Sequence, residues 1–164
     1  MWLDEAMFTV QTYRKREFSG RHQYIAVAAP QYQIKTIAFL GCVCQDRGIY
    51  YYELHDKSIN TEKFLPFLRN LRANFGTGRL ALYQDNLRVH TTNLAKQLYE
   101  ELDIEVQFAP IYSPTLNAIE LTFSLLKNSV KRMRLNDMTN QRQRSYRELI
   151  PIAVSKVNTE QVNS

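Results

Sequence analysis

Three stretches of this 164-residue chain hold the side chains best suited to chemistry. Asp4 and Glu5 sit in the apolar run from Trp2 to Phe8, and Asp85, Asn86 and His90 share the run from Leu82 to His90. Tyr112, Ser113, Pro114, Asn117 and Glu120 fall between Ala109 and Glu120, a run that continues to Leu125, Leu126 and Lys127. An unpartnered carboxylate in the middle of an apolar strand is costly, so Asp4 needs a compensating group. Gathering several acids at one place raises their pKa values unless a cation sits among them. Hard divalent ions such as Mg²⁺ take oxygen ligands at about 2.0–2.1 Å, usually from one or two carboxylates each. A pair of such ions about 3.5–4 Å apart can activate an attacking oxygen and stabilise a leaving one in phosphoryl transfer. Adjacent strand residues point to opposite faces, so Asp4 and Glu5 cannot both enter one site without a bulge.

Taken singly, each residue also has a purely structural explanation. Asp85 can start a turn, as Asp-Asn pairs often do. Asn117 and Glu120 form N-x-x-E, close to the capping-box pattern, so Glu120 can serve the first amides of its helix. Asp4 can pair with a buried base, and His90 can be a packed or hydrogen-bonded histidine. The case for a site rests on the combination.

The elements that must position these groups can be read from periodicity. Trp2 to Val10 is the first strand, and the basic segment Tyr13 to His22 follows as a turn or hairpin tip. Ile34 to Gln45 and Ile49 to Leu54 are strands joined by the turn signal Asp46-Arg47-Gly48, completing an antiparallel meander. A helix starts at Asn60-Thr61-Glu62, carries Phe64, Leu65, Leu68, Leu71 and Phe75 at helical spacing, and stops at Gly76. Leu80 to Gln84 is a strand ending at Asp85, in the position where open α/β sheets place their sites. Thr91 or Thr92 caps a helix through Leu102, Ile104 to Ala109 is a strand, and Asn117 opens a long helix to about Arg134. A last helical stretch, Gln141 to Val157, is interrupted by Pro151. The expected architecture is α/β: a mixed five-stranded sheet, a three-strand antiparallel meander followed by parallel strands, with helices on both faces.

Bulk properties narrow the class without naming it. Hydrophobic residues make up 45% and charged residues 23%, as in an ordinary soluble domain. No apolar run approaches the ~20 residues of a membrane span, and Met1 to Glu5 has no signal-peptide character; an intracellular protein is expected. Cys42 and Cys44 lack a second Cys or His pair at zinc spacing and read as free thiols. The net charge of +5 and pI near 9.2 suit a polyanionic partner but are weak pointers alone.

Together, the three acidic segments closely resemble the DDE catalytic domain of the mariner-like transposase superfamily. That family carries a hydrophobic strand ending in Asp-Glu, then Asp-Asn-x-x-x-His, then Y-S-P-x-L-N-x-I-E opening a helix that continues to a leucine and lysine. All three occur here in order, and 34 residues separate Asp85 from Glu120, a spacing characteristic of the superfamily. The resemblance implies an RNase H-like fold, whose element order matches the one above, and a catalytic domain over residues 1–158 with a tail at 159–164. It implies Asp4, Asp85 and Glu120 as catalytic residues and metal ligands for two Mg²⁺ or Mn²⁺ ions. Asn86, His90, Tyr112, Ser113 and Asn117 would border the site. DNA, both transposon ends and target, is the implied partner, with room for a homodimer and no membrane; the protein would be located with DNA. Ile111 and Ala118 replace prolines the family often has, at a cost in rigidity but not in ligands. Only three residues precede Asp4, so the first strand is expected to fray, and the upstream helix-turn-helix segments that read transposon ends in the family are absent.

The long helix adds an observation independent of the resemblance. Ile119, Phe123, Leu126, Val130 and Met133 form a stripe suited to burial. One position on, Glu120, Ser124, Lys127, Lys131 and Arg134 form a second stripe, its basic members within about 40° of Glu120 at roughly 100° per residue. A basic row leading from an acid suits a phosphate backbone, and a solvated helix face is the plainer reading. Arg142, Arg144 and Arg147 add charge for non-specific phosphate contact. The leading function is DNA cleavage and strand transfer. The alternatives are a non-catalytic DNA-binding or assembly remnant, and an RNase H-like nuclease of RNA processing or junction cleavage. The last has no reason to carry the Y-S-P-x-L-N-x-I-E string.

Overall fold

The computed structural model describes residues 1–9, 36–109 and 118–162. The chain runs β1 (Trp2–Phe8), β2 (Ile37–Cys44), β3 (Gly48–Asp56), α1 (Thr61–Phe75), β4 (Leu80–Gln84), α2 (Asn93–Glu101), β5 (Ile104–Phe108), α3 (Ala118–Thr139) and α4 (Tyr146–Val162). The strands form one sheet in the order β3-β2-β1-β4-β5. The first three pair antiparallel, whereas β1–β4 and β4–β5 are parallel. This is the mixed sheet expected from the sequence. The basic segment 13–22 lies outside the described residues.

Side-chain alternation divides the interior into two layers. Ala6 and Phe8 of β1, with Ile37 and Phe39 of β2, pack against Ile119, Phe123, Leu126, Val130 and Met133 of α3 and Leu149 to Val157 of α4. Leu3, Leu40 and Cys42 face the other way, onto Phe64, Phe67, Leu68 and Leu71 of α1 and Ala95, Leu98 and Tyr99 of α2. Fully burying each large apolar side chain is worth about 1.5–3 kcal/mol, so both layers drive folding. The apolar stripe of α3 is buried as its spacing requires. Between Cys42 and Val43 the β2–β3 register shifts, leaving Tyr50 as the extra residue of a bulge. Tyr50 and Tyr51 therefore both pack toward the α1–α2 layer.

Local signals account for most boundaries. The Asn60 side chain accepts from the Lys63 N–H and caps α1, and Gly76 ends it at φ 82°, a conformation that glycine adopts without a Cβ penalty. Thr92 caps α2 through the Ala95 N–H. Glu148 reaches back over the start of α4, its carboxylate accepting from both the backbone N–H and the hydroxyl of Ser145 at 2.7 Å.

Three expectations need correction. Pro151 does not interrupt the last helix: α4 runs through it to Val162, into the residues read as a tail. One lost N–H is outweighed by burial of Leu149, Ile150, Ala153, Val154 and Val157 around it. Pro66 stands in α1 at the same distance from its cap and is carried by Phe64, Phe67 and Leu68 in the same way. Second, α3 extends one turn beyond Arg134, to Thr139, because Met133 and Asp137 are also buried. Third, the start of β1 does not fray: the Met1 amino group donates to Ala81 O at 2.9 Å, and the Tyr83 N–H donates to Met1 O at 2.8 Å.

Candidate active site

The parallel pairing of β1 with β4 places Trp2 opposite Tyr83 and Leu3 opposite Gln84. One step further, Asp4 lies beside Asp85, the first residue beyond β4. Backbone hydrogen bonds of two central strands therefore fix how far apart these acids stand. On its other side Asp4 is paired with Gly41 of β2. A Cβ at Gly41 would collide with the ring of Phe39, which is stacked on Tyr52 at 5.1 Å and set edge-on to Phe123 at 5.4 Å. The missing side chain thus leaves room for an aromatic cluster below Asp4.

Each of the two carboxylates has one oxygen engaged. Asp4 Oδ1 accepts from the Glu5 N–H at 2.7 Å. Asp85 Oδ1 accepts from the Leu87 N–H at 3.2 Å and is ion-paired with His90 Nδ1 at 2.9 Å, a nitrogen that also lies 3.3 Å from the Asp85 backbone carbonyl. Neither Oδ2 has a partner among the described residues. Burial is the main influence on Asp4, and with the charges of Asp85 and Glu5 it pushes the carboxyl up to about 6, against the Glu5 N–H and His90. Burial also pushes Asp85 up, but the hydrogen bonds from His90 and the Leu87 N–H outweigh it and leave its carboxyl below the ordinary value. Two hard oxygen donors side by side, one destabilised as an anion, form a donor set that fits a divalent cation.

His90 is fully buried. Its Nδ1 meets Asp85, its Nε2 lies 3.3 Å from Glu5 Oε1, and its ring packs on Phe64 with centroids 4.7 Å apart. Burial favours the neutral ring, yet hydrogen bonds to Asp85 and Glu5 prevail and raise it to about 9. The Tyr99 hydroxyl donates to His90 O at 3.3 Å and accepts from Gln84 Nε2 at 2.7 Å. Asn86 donates from its side chain to Ala109 O at 2.8 Å, tying the β4–α2 loop to the end of β5. Asn86 is thus a loop tie beside the site, and His90 is the hydrogen-bonded histidine that its plain reading allowed.

Glu5 is the participant that the sequence pattern underplays. Alternation sends it to the face opposite Asp4, as expected, but His90 reaches across from the β4–α2 loop and joins the two faces. The available signal was the Asp-Glu pair itself, together with the histidine five residues after Asp85.

The third acid is carried by another element. Glu120 is exposed in the first turn of α3, which packs on the same side of the sheet as Asp4. No group of three or more Asp, Glu, His or Cys side chains among the described residues is placed to hold a metal ion. Adding a third carboxylate to Asp4 and Asp85 without a cation would meet the repulsion that already raises Asp4. Tyr112, Ser113 and Asn117 lie outside the described residues. Ser124, Lys127 and Lys131 follow Glu120 on the exposed face of α3. Arg134 turns away, its guanidinium 5.0 Å above the ring of Tyr146, because α4 packs there. Arg144 forms a two-pronged ion pair with the buried Asp137, and Arg147 pairs with Asp56 at 3.0 Å. Arg144 and Arg147 are thus both engaged in ion pairs within the fold.

A five-stranded sheet in this order, with one acid at the middle of β1 and another just beyond β4, defines the RNase H-like fold class. Residues 1–141 match the family model of the DDE superfamily endonucleases, and the chain belongs to that family. Among solved structures, the mariner Mos1 paired-end complex with Mg superposes with a TM-score of 0.64 at 21% identity, over 98% of this chain and 48% of the other. The Mos1 strand transfer complex gives 0.58 at 22% identity, over 98% and 52%. The catalytic core domain of BIV integrase gives 0.52 at 14% identity, over 73% and 72%. The chain spans about half the length of the Mos1 chains it matches. A search of curated proteins gives no significant match. No helix among the described residues is long and apolar enough to cross a membrane.

Proposed function

We propose that this chain is the catalytic domain of a mariner-type DDE transposase, which cuts phosphodiester bonds at the ends of an element and joins the freed 3′ ends to target DNA. The observation that carries this reading is the Asp4–Asp85 pair, set side by side by strand register, each with an oxygen that has no partner among the described residues. Asp4 and Asp85 would hold Mg²⁺ or Mn²⁺, with Glu120 from α3 as third ligand. Mos1 paired-end complexes have been solved with both metals, which supports that choice. Bound there, a pair of divalent ions would stabilise the attacking and leaving oxygens of phosphoryl transfer. The protein's own part is to fix the two aspartates through the β1–β4 register and to hold Asp85 through Leu87 and His90. The exposed side chains of Lys127 and Lys131 would receive the DNA backbone beyond Glu120.

The test is nicking of supercoiled DNA in Mn²⁺ or Mg²⁺ by wild-type protein and by Asp85→Asn. Cleavage by the wild type alone supports the reading, whereas equal nicking by both assigns the cut to another site. One observation favours a second reading, a DNA-binding or assembly remnant: among the described residues no group of three or more Asp, Glu, His or Cys side chains is placed to hold a metal ion. DNA binding without cleavage in either metal would select it.

A further inference from the structure

We propose that Glu5 is a positioning residue for the metal site: it acts through His90, across the sheet, to hold the Asp85 carboxylate with one oxygen tied and the other turned to the cation. This inference rests on the metal-binding reading above and assigns a role to a side chain on the opposite face from Asp4.

The geometry carries it. Glu5 projects from β1 toward the α1–α2 layer, where its side chain is only 15% exposed. A carboxylate there must be compensated, and its side-chain partner is His90 Nε2 at 3.3 Å. The imidazole has no freedom to serve another role. Phe64 lies against its ring, its own backbone carbonyl receives the Tyr99 hydroxyl, and its backbone N–H donates to Leu87 O at 2.9 Å. Its second nitrogen is therefore delivered to Asp85, 2.9 Å from Oδ1 and 3.3 Å from the backbone carbonyl, and Oδ1 also receives the Leu87 N–H. With both contacts on Oδ1, the carboxylate oxygen of Asp85 left open among the described residues is Oδ2. Asp85 is the more exposed partner, at 43% for its side chain, so without this brace its carboxylate could rotate. Ligand orientation by an outer hydrogen-bonded carboxylate is commonly worth 10–100-fold in metal affinity.

Mn²⁺ binding, followed by the loss of the free-ion EPR signal, tests the relay in full-length protein. Glu5→Ala is expected to weaken binding about tenfold. Glu5→Gln, whose amide oxygen still accepts from Nε2, should remain within about threefold of wild type. His90→Ala should weaken binding at least as much as Glu5→Ala, and the double variant should match His90→Ala, since removing Glu5 has no effect once its intermediary is gone. Multiplying effects in the double variant, or wild-type affinity in Glu5→Ala, would overturn the proposal. A second measurement needs no metal: exchange of the His90 Nδ1 proton with water, read by NMR. Glu5→Ala should accelerate it at least tenfold and Glu5→Gln should not; equal rates in all three proteins would overturn the proposal. If the wild type binds no Mn²⁺, the metal reading fails by itself, and the exchange rates decide whether Glu5 braces His90.

Discussion

Asp4 offers a thermodynamic test that does not depend on finding the substrate. Its carboxyl is raised from 3.8 to about 6 in the folded protein. A group that binds its proton more tightly when folded stabilises the fold only while protonated. Relative to its unprotonated cost, that advantage is complete below the unfolded value of 3.8 and is lost as pH rises through about 6. At 1.36 kcal/mol per unit, metal-free wild-type protein loses about 2.5 kcal/mol from this one group between pH 3.8 and pH 7. About half of that loss has occurred by pH 5. Asp4→Asn keeps the shape and removes the charge, so it should be more stable than wild type by up to about 3 kcal/mol at pH 7.5, with the gap closing toward pH 4. Urea denaturation in EDTA at pH 7.5, 5 and 4 measures this directly. Adding Mn²⁺ should then narrow the gap at pH 7.5 by stabilising the wild type more than the variant. A variant less stable than wild type at pH 7.5, or a gap that ignores pH, would refute the reasoning.

Other perturbations probe other parts of the molecule. Gly41→Ala should destabilise by about 1–3 kcal/mol, read by denaturant midpoint, because the Phe39 ring that its Cβ meets is wedged between Tyr52 and Phe123. Asn158→Ala removes a two-way clamp on Ile49, from the Ile49 N–H at 2.8 Å and to its carbonyl at 2.9 Å. It should cost about 1–3 kcal/mol by thermal or urea melting, whereas Thr159→Ala at the next position should cost less. Lys127→Gln should weaken DNA binding on all sequences alike and reduce the log–log salt slope by about one; a sequence-selective loss would argue against a backbone contact.

Much of the fold was legible because its signals are local. Asn60, Gly76 and Thr92 mark helix ends by chemistry that acts within a few residues, and the meander reveals itself through Asp46-Arg47-Gly48. The α3 stripe from Ile119 to Met133 was readable from periodicity alone. What escaped depends on neighbours distant in sequence. Pro151 reads as a break until the surrounding apolar residues are seen to be packed against the sheet. Arg144 and Arg147 read as free charge until Asp137 and Asp56 are placed beside them. Of the candidate site, strand register joins Asp4 to Asp85, and the motif supplies both names. The contact of Glu5 with His90 spans 85 positions, and no pattern of period two or 3.6 encodes it.

The central sheet is a partition between two interiors, and this has a practical meaning for anyone altering the molecule. Substitutions beneath α4 and substitutions beneath α1 touch no common neighbour, so their costs should simply sum. The imidazole of His90 is an exception, a peg driven through the wall. Changes on the α1–α2 side that shift Phe64 would be felt at Asp85, while equal changes far along α4 would leave it at rest.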